Sequence, residues 1–148
     1  MTDWIFQANL KRYDVHAEVA QFRTWWNTPW HRAEIAINDR VWLQIAGPYT
    51  PGLHYVATVE SPAYECTEID DPDSPTFGKW RTDIRFDYRI HPMLSRDKLL
   101  NDPELGSFRP FRGFQGSNQR VPSNVASLLL KLATPRLVPL TAVSDLPS

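Results

Sequence analysis

The segment from residue 80 to residue 90 alternates apolar and charged side chains more regularly than the rest of the chain. Because successive side chains of a β-strand point to opposite faces of a sheet, this period of two predicts a strand with one buried face. On the other face Arg alternates with Asp, which is typical of a solvated surface with weak cross-strand ion pairs. Thr82 interrupts the apolar face, which otherwise consists of Trp80, Ile84, Phe86, Tyr88 and Ile90.

Three further strands follow from the same reasoning. Residues 40–46 alternate after the turn signal Asn38-Asp39, and their apolar face consists of Val41, Leu43 and Ile45. Residues 53–59 form a similar segment after a loop rich in Gly and Pro, so the two strands are expected to pair as neighbours in one sheet. The short apolar run over residues 4–8 predicts a first strand.

Helices are expected near both ends of the chain. Asp14 can cap a helix over residues 16–23, and Ser123 can cap a longer one that ends before Pro135. The thirteen prolines exclude a helix bundle, because an interior proline breaks a helix. The order of elements therefore predicts an α+β fold, in which a twisted mixed β-sheet curls into a partial barrel flanked by helices.

The bulk properties favour one small, soluble domain. We expect a single domain over residues 1–134 and a loosely ordered C-terminal tail over residues 135–148. No apolar run is long enough for a membrane span, and the single cysteine, Cys66, fits a half-buried thiol in a reducing, cytoplasmic setting. A net charge of −1 and a pI near 6.4 argue against a protein that grips nucleic acid mainly through phosphates.

Catalytic and metal-binding patterns are missing from the sequence. The four histidines lack the paired spacing of metal ligands, and no Ser or Cys stands in a recognisable nucleophile motif. The segment Gly113-Phe114-Gln115-Gly116 lacks the rest of a phosphate-binding loop. We therefore expect no metal, no cofactor and no enzymatic activity.

The tryptophans are the strongest candidates for ligand contacts. Trp25, Trp26 and Trp30 lie in a segment without helical or strand periodicity, and Trp80 stands where a turn enters a strand. An indole face stacks on a nucleobase with a gain of about 1–3 kcal/mol. The alternative is that some of these rings are core, and in the adjacent pair one ring is expected to point inward.

Two stretches near the N-terminus resemble EVE domains. The first is Trp4-Ile5-Phe6-Gln7-Ala8-Asn9-Leu10-Lys11-Arg12-Tyr13-Asp14. The second runs from Trp26 to Ile35 and continues through Asn38-Asp39-Arg40-Val41-Trp42-Leu43, where Asn38 replaces the usual Gly of the family's turn. Asn also tolerates a positive φ, so the turn should be retained.

Three short segments are similar to the related YTH domains. Trp26-Asn27 and Lys79-Trp80-Arg81-Thr82 resemble the two segments that carry the cage tryptophans, and residues 118–123 resemble the family's closing element. The resemblance implies a PUA-like fold without catalysis and a pocket for one flipped nucleotide. YTH domains read N6-methyladenine in RNA, whereas bacterial EVE domains are associated with modified DNA bases, notably 5-methylcytosine, often near restriction systems.

The resemblance also implies roles for individual residues. Trp26 and Trp80 become pocket walls, Asn27 becomes a contact to the base edge, and Asn9 is a second candidate for that contact. Trp25 and Trp30 are candidates for the rim of the pocket or for the core.

The expected partner is nucleic acid with a modified base, DNA rather than RNA, with a restriction or nuclease partner as a further possibility. A basic, aromatic segment supplies the candidate backbone contacts Arg109, Arg112 and Arg120. Two alternatives stay open: an RNA-binding PUA-like module, and a small-ligand domain with a Trp-lined pocket.

Overall fold

The computed structural model describes residues 1–11, 14–66, 79–113 and 118–140. Within these residues one curled sheet contains eight strands in the order β2-β6-β4-β3-β1-β7, with β5 and β8 also paired to β6. Only β1 and β3 run parallel among these pairs, so the predicted twisted, mixed sheet is confirmed. The strands are β1 (Asp3–Asn9), β2 (Arg23–Asn27), β3 (Arg40–Ala46), β4 (Gly52–Val59), β5 (Tyr64–Glu65), β6 (Trp80–Ser95), β7 (Asn118–Val121) and β8 (Leu137–Pro139).

Short helices flank the sheet. No helix in the described part of the chain is long and apolar enough to cross a membrane. The helices are α1 (Val15–Val19), α2 (Arg96–Asn101), α3 (Pro103–Gly106), α4 (Arg109–Arg112) and α5 (Ser123–Ala133), followed by a 3-10 turn over Thr134–Arg136.

Apolar side chains are buried on both faces of the sheet. The first core lies inside the curl, under α1, and includes Trp4, Phe6, Trp26, Leu43, Tyr55 and Phe86. The second core lies between the other face and helices α2 to α5, and it includes Ile5, Trp42, Ile90, Leu94, Phe111 and Leu129. Trp42 lies on the face of β3 opposite the predicted apolar face of Val41, Leu43 and Ile45, and it is nonetheless buried because the helices cover that face.

A β-bulge in the longest strand moves its apolar residues from one core to the other. Ala57 pairs with Phe86 and Val56 pairs with Tyr88, which leaves one extra residue on β6. Because one extra residue reverses the alternation, Phe86 lies in the first core and Ile90 lies in the second. The alternation predicted a single apolar face from residue 80 to residue 90, and the bulge divides that face in two.

The helix ends also differ from the sequence prediction. Asp14 caps α1 as predicted, through a 3.2 Å hydrogen bond from the Ala17 amide. The helix ends at Val19 rather than near residue 23, because Phe22 adopts a positive φ of 70° and the chain then enters β2. Ser123 is the first residue of α5 but its side chain forms no capping bond, so its predicted role as the cap is wrong.

The chain beyond residue 134 contributes a strand. Leu137, Val138 and Pro139 pair with Ile90, Arg89 and Tyr88 of β6, in a segment that the sequence analysis assigned to a loose tail. Residues 141–148 of that tail lie outside the described residues.

Two aspartates link β1 to β3 through hydrogen bonds from tryptophans. Asp3 in β1 accepts from a tryptophan of β3, and Asp39, just before β3, accepts from a tryptophan of β1. Asp39 accepts a 2.9 Å bond from the Trp4 indole, and Asp3 accepts a 2.9 Å bond from the Trp42 indole. Asp39 also accepts bonds from the backbone amides of Thr2 and Ala36, each 3.0 Å long. Both carboxylates are buried, so each indole can enter a core without losing a partner for its N–H.

Replacing Asp39 by Ala is expected to lower the free energy of unfolding by roughly 2–4 kcal/mol, because three donors lose one acceptor and the Trp4 indole is buried. Urea denaturation measures the change. Asp97→Ala removes an exposed carboxylate from the first turn of α2 and should change the free energy by about 0.5 kcal/mol or less. Equal effects of the two substitutions would contradict the role given to Asp39.

A histidine pair lies where α1 meets β4. His16 Nδ1 is 2.6 Å from the Tyr55 hydroxyl, and the His16 and His54 rings are 5.5 Å apart. His54 donates from Nε2 to the Thr50 carbonyl over 2.7 Å. Burial lowers the pKa of His54; the Thr50 hydrogen bond opposes this shift, and the charges of His16 and Arg89 add to it. The folded protein therefore favours neutral His54.

Folding stability should decrease as the pH falls below about 6.5, the pKa of an unfolded histidine, because the unfolded chain then takes up a proton that folded His54 resists. His54→Gln should make the fall in melting temperature less steep. His91→Gln, at an exposed position, should leave the slope close to that of the wild type. Parallel curves for the wild type and His54→Gln between about pH 7.5 and 5.5 would show that burial of His54 does not disfavour its charged form.

Candidate functional site

The register of β2 with β6 places two indoles on one face of the sheet. Trp26 pairs with Thr82, and Trp80 lies two residues before Thr82 on the same strand. Since side chains two residues apart share a face, Trp80 is the diagonal cross-strand neighbour of Trp26, at a typical separation of about 7–8 Å. Segments more than fifty residues apart in sequence thus meet at the mouth of the first core.

Two threonines lock this register. The Thr28 and Thr82 hydroxyls are 2.8 Å apart, and both residues are completely buried. The Thr28 amide donates to the Trp80 carbonyl over 3.0 Å, which continues the pairing beyond the end of β2. The interruption of the apolar pattern at Thr82 is therefore a buried polar pair, which fixes the two indoles relative to each other.

The two indoles differ in their burial. Trp26 is 5% exposed, and its ring stacks on Phe6 with a centroid distance of 6.3 Å and an interplanar angle of 24°. Trp80 is only partly buried, and the Arg32 guanidinium lies 4.5 Å from the centroid of its ring. Trp26 is thus continuous with the core, whereas the Trp80 ring is only partly buried and lies under the exposed side chain of Arg32.

The loop that carries Arg32 is fastened to β7. The Asn118 side-chain amide donates to the Trp30 carbonyl over 2.7 Å and accepts from the Trp30 amide over 3.4 Å. Asn118 is completely buried, whereas the Trp30 ring is 57% exposed. The loop is therefore held by its backbone, and the Trp30 indole is left exposed to solvent.

A second set of contacts holds the same loop against β1 and β7. The His31 ring lies 5.7 Å from the Trp4 ring, and Glu34 forms a 3.5 Å ion pair with Arg120. Of the predicted backbone-binding trio, Arg120 is thus in contact with this loop.

The other two members of that trio lie elsewhere. Arg109 and Arg112 belong to α4, whose Phe111 is part of the second core on the opposite face of the sheet. Arg112 donates from Nε to the Gly106 carbonyl over 2.7 Å. The structure therefore does not bring these two arginines next to Trp26 and Trp80.

Trp25 and Asn27 also face away from the indole pair. Because neighbouring residues of a strand point to opposite faces, both lie on the far side of β2 from Trp26. Trp25 covers the Arg81 guanidinium at 3.8 Å, and Asn27 pairs in register with Arg81. The Asn27 Oδ1 atom is buried and accepts no hydrogen bond from the described residues. The geometry does not support the predicted contact between Asn27 and a base stacked on Trp80.

Tyr64 completes this outer group. Its hydroxyl donates to Asp83 over 2.6 Å, and burial, this hydrogen bond and the charge of Asp83 together raise the pKa of Tyr64. Trp25 and Tyr64 are each more than a third exposed. They form a surface distinct from the indole pair.

Asn9 is the last residue of β1 and lies beyond Phe6 along the strand. Its Oδ1 accepts the Lys11 amide over 3.0 Å, and its side chain lies beside Gly47. Asn9 and Phe6 are three residues apart in β1. Because strand side chains alternate between faces, Asn9 faces the side opposite Phe6 and Trp26. The structure thus separates this second candidate from the indole pair as well.

Two cavities in the described part of the chain lie on the second face of the sheet. One, of about 500 Å³, is lined by residues that include Arg40, Thr58, Asp87 and Tyr88. The other, of about 90 Å³, is lined by residues that include Gln44, Gly47 and Arg96. Neither of these two is lined by Trp26 or Trp80.

Comparison with known proteins places the fold. The sequence matches no protein-family profile, and no curated protein matches it. Among solved structures, a hypothetical protein from Leishmania major is similar with a TM-score of 0.76, at 18% identity over 91% of this chain and 96% of that chain. Human THYN1, solved in complex with DNA containing 5-methylcytosine, is similar with a TM-score of 0.72, at 14% identity over 90% of this chain and 98% of that chain.

A YTH domain is a more distant match. The domain of Zygosaccharomyces rouxii MRB1, in complex with N6-methyladenosine RNA, has a TM-score of 0.54 at 10% identity over 97% of this chain and 91% of that chain. Together these likenesses show that the chain has the EVE/PUA-like fold, and they confirm the fold that the sequence resemblance implied.

Truncation of the two indoles should separate their structural roles. Trp26→Ala is expected to lower the free energy of unfolding by about 3–5 kcal/mol, because the ring is part of the core. Trp80→Ala should cost less than half as much, because part of this ring is already exposed. Urea denaturation of both variants measures the difference. Equal costs would mean that Trp80 is a core residue and not a wall of a ligand site.

Proposed function

We propose that this protein is a non-catalytic reader of a modified nucleobase, which stacks on Trp80 at the mouth of the first core. The supporting observation is the locked register of β2 and β6, which sets a sealed indole and a partly exposed indole on one face. A base that leaves its stack loses a few kcal/mol in a duplex and less in a single strand. Stacking on an indole returns about 1–3 kcal/mol of that loss.

The roles of the two walls follow from their burial. Trp26, held against Phe6, limits the depth of the site, and Trp80 supplies the face on which the base stacks. A methyl group on the base would fill space beside Trp26, and an unmodified base would leave that space empty. Discrimination by one methyl group should then be modest, about 1–3 kcal/mol.

The fold supports DNA with a modified cytosine as the first candidate ligand. The same fold occurs in human THYN1, whose crystal structure contains DNA with 5-methylcytosine. RNA with N6-methyladenine is the second candidate, because the structurally similar YTH domain was solved with such an RNA. We propose no reaction for this site. A nuclease partner remains a prediction of the sequence resemblance.

The binding test uses Trp80→Ala and a matched control on the other face of β2. Binding of an oligonucleotide with one 5-methylcytosine, measured by fluorescence anisotropy, should weaken about ten-fold or more in Trp80→Ala, which corresponds to the loss of one stacked base. Trp25→Ala removes an indole from the opposite face and should change the affinity by less than about three-fold.

The outcomes of this test are distinct. Equal losses in both variants, or unchanged binding in Trp80→Ala, would contradict the proposed site. A parallel series with unmodified DNA and with N6-methyladenine RNA identifies the preferred ligand. A small neutral ligand, the remaining alternative, would show no steep loss of affinity with added salt, whereas a nucleic acid would.

A further inference from the structure

Arg32 is a cation at the proposed site that pairs with no carboxylate among the described residues. Within the described residues its contact is with the Trp80 ring, at 4.5 Å from the centroid, and no carboxylate lies within ion-pair distance. The nearest acidic residue along the chain, Glu34, is engaged by His31 and Arg120. A solvent-exposed cation on an indole face is held only weakly, by about 0.5–1 kcal/mol.

Hydrogen bonds hold the backbone that precedes Arg32, while no hydrogen bond is seen for the Arg32 side chain within the described residues. Thr28 is bonded to Trp80 and Thr82, and Trp30 is bonded through its backbone to Asn118. The Arg32 side chain itself is exposed. A rotation of this one side chain would therefore uncover Trp80 without moving the loop.

The charge and shape of Arg32 suit a phosphate group. A guanidinium presents a planar fork of donors that matches two phosphate oxygens, and it has no acceptor that would repel them. The arginines predicted for this task do not serve it equally well, because Arg109 and Arg112 lie on the other face and Arg120 is paired with Glu34.

From these observations, and resting on the proposed function, we infer that Arg32 covers Trp80 in the free protein and binds the phosphate of the nucleotide whose base replaces it there. The base takes the indole face, and the displaced guanidinium turns to the backbone of the same nucleotide. Arg32 thus makes the site selective for nucleotides over nucleosides, although the net charge of the chain is −1. No chemical step is involved.

The test compares 5-methyl-2′-deoxycytidine with its 5′-monophosphate, using calorimetry on the full chain. The wild type should bind the monophosphate about ten-fold more tightly than the nucleoside, as one charge-assisted contact provides. In Arg32→Gln that preference should disappear, while the nucleoside binds at least as tightly as before because the indole face is free. Arg32→Lys keeps the charge without the fork and should retain part of the preference.

Salt dependence gives a second reading on an oligonucleotide with one 5-methylcytosine. The slope of log affinity against log salt should fall in magnitude by about 1 in Arg32→Gln, because one phosphate contact is lost. Arg96→Gln, which removes an exposed arginine from α2, is the matched control and should leave the slope unchanged.

The outcomes separate this inference from the proposed function. If the wild type binds the nucleoside but Arg32→Gln keeps both the phosphate preference and the salt slope, Arg32 is not the phosphate contact and the reader function stands. If the wild type binds neither nucleoside nor nucleotide, and no oligonucleotide binds, both proposals are overturned. Melting temperatures of the three variants close to that of the wild type would exclude unfolding as the cause of any loss.

Discussion

The antiparallel pairing of β2 with β6 is the constraint on which the site depends. The pairing joins a short strand after α1 to the longest strand of the sheet, and the buried Thr28–Thr82 contact fixes its register. A slip by one residue would turn Trp26 out of the first core and would bring Trp25 into it. The same register sets Trp80 beside Trp26, so the packing of the core and the geometry of the site have one cause.

Hydrogen bonds between carboxylates and indoles hold β1 and β3 in place, toward the opposite end of the strand order from β2 and β6. Asp39 and Asp3 each supply an acceptor to a tryptophan from the neighbouring strand, which lets large rings fill both cores. Because β1 and β3 are the parallel pair, these bonds hold together strands that no tight turn connects.

The sequence predicted the strands better than it predicted which face each side chain occupies. The alternation over residues 40–46 matches β3, but Trp42 is buried because helices from the distant C-terminal half cover its face. The bulge opposite Val56 and Ala57 likewise depends on pairing between strands, which a period of two within one strand does not reveal. The pair Trp26 and Trp80 was singled out through family resemblance. The same resemblance implied Asn27 and Asn9 as base contacts, whereas strand alternation sets both on the face of the sheet opposite Trp26.

The residues that complete the site carried weak signals in the sequence. Thr82 was visible as the break in an apolar face, and Asn118 and Arg32 were part of the stretches that resemble the family, without an assigned role. Asn118 acts on a backbone 88 residues away in sequence, which no local pattern predicts. Contacts of this kind, between a buried amide and a loop, emerge only when the sheet order is known.

A crystal structure of the protein soaked with 5-methyl-2′-deoxycytidine 5′-monophosphate tests the central claim most directly. We expect a pyrimidine ring parallel to the Trp80 indole, with Trp26 at the closed end of the site and the Arg32 guanidinium at the phosphate. A pyrimidine bound on the Trp25 face, or in the cavity lined by Arg40 and Tyr88, with Trp80 still covered by Arg32, would contradict it.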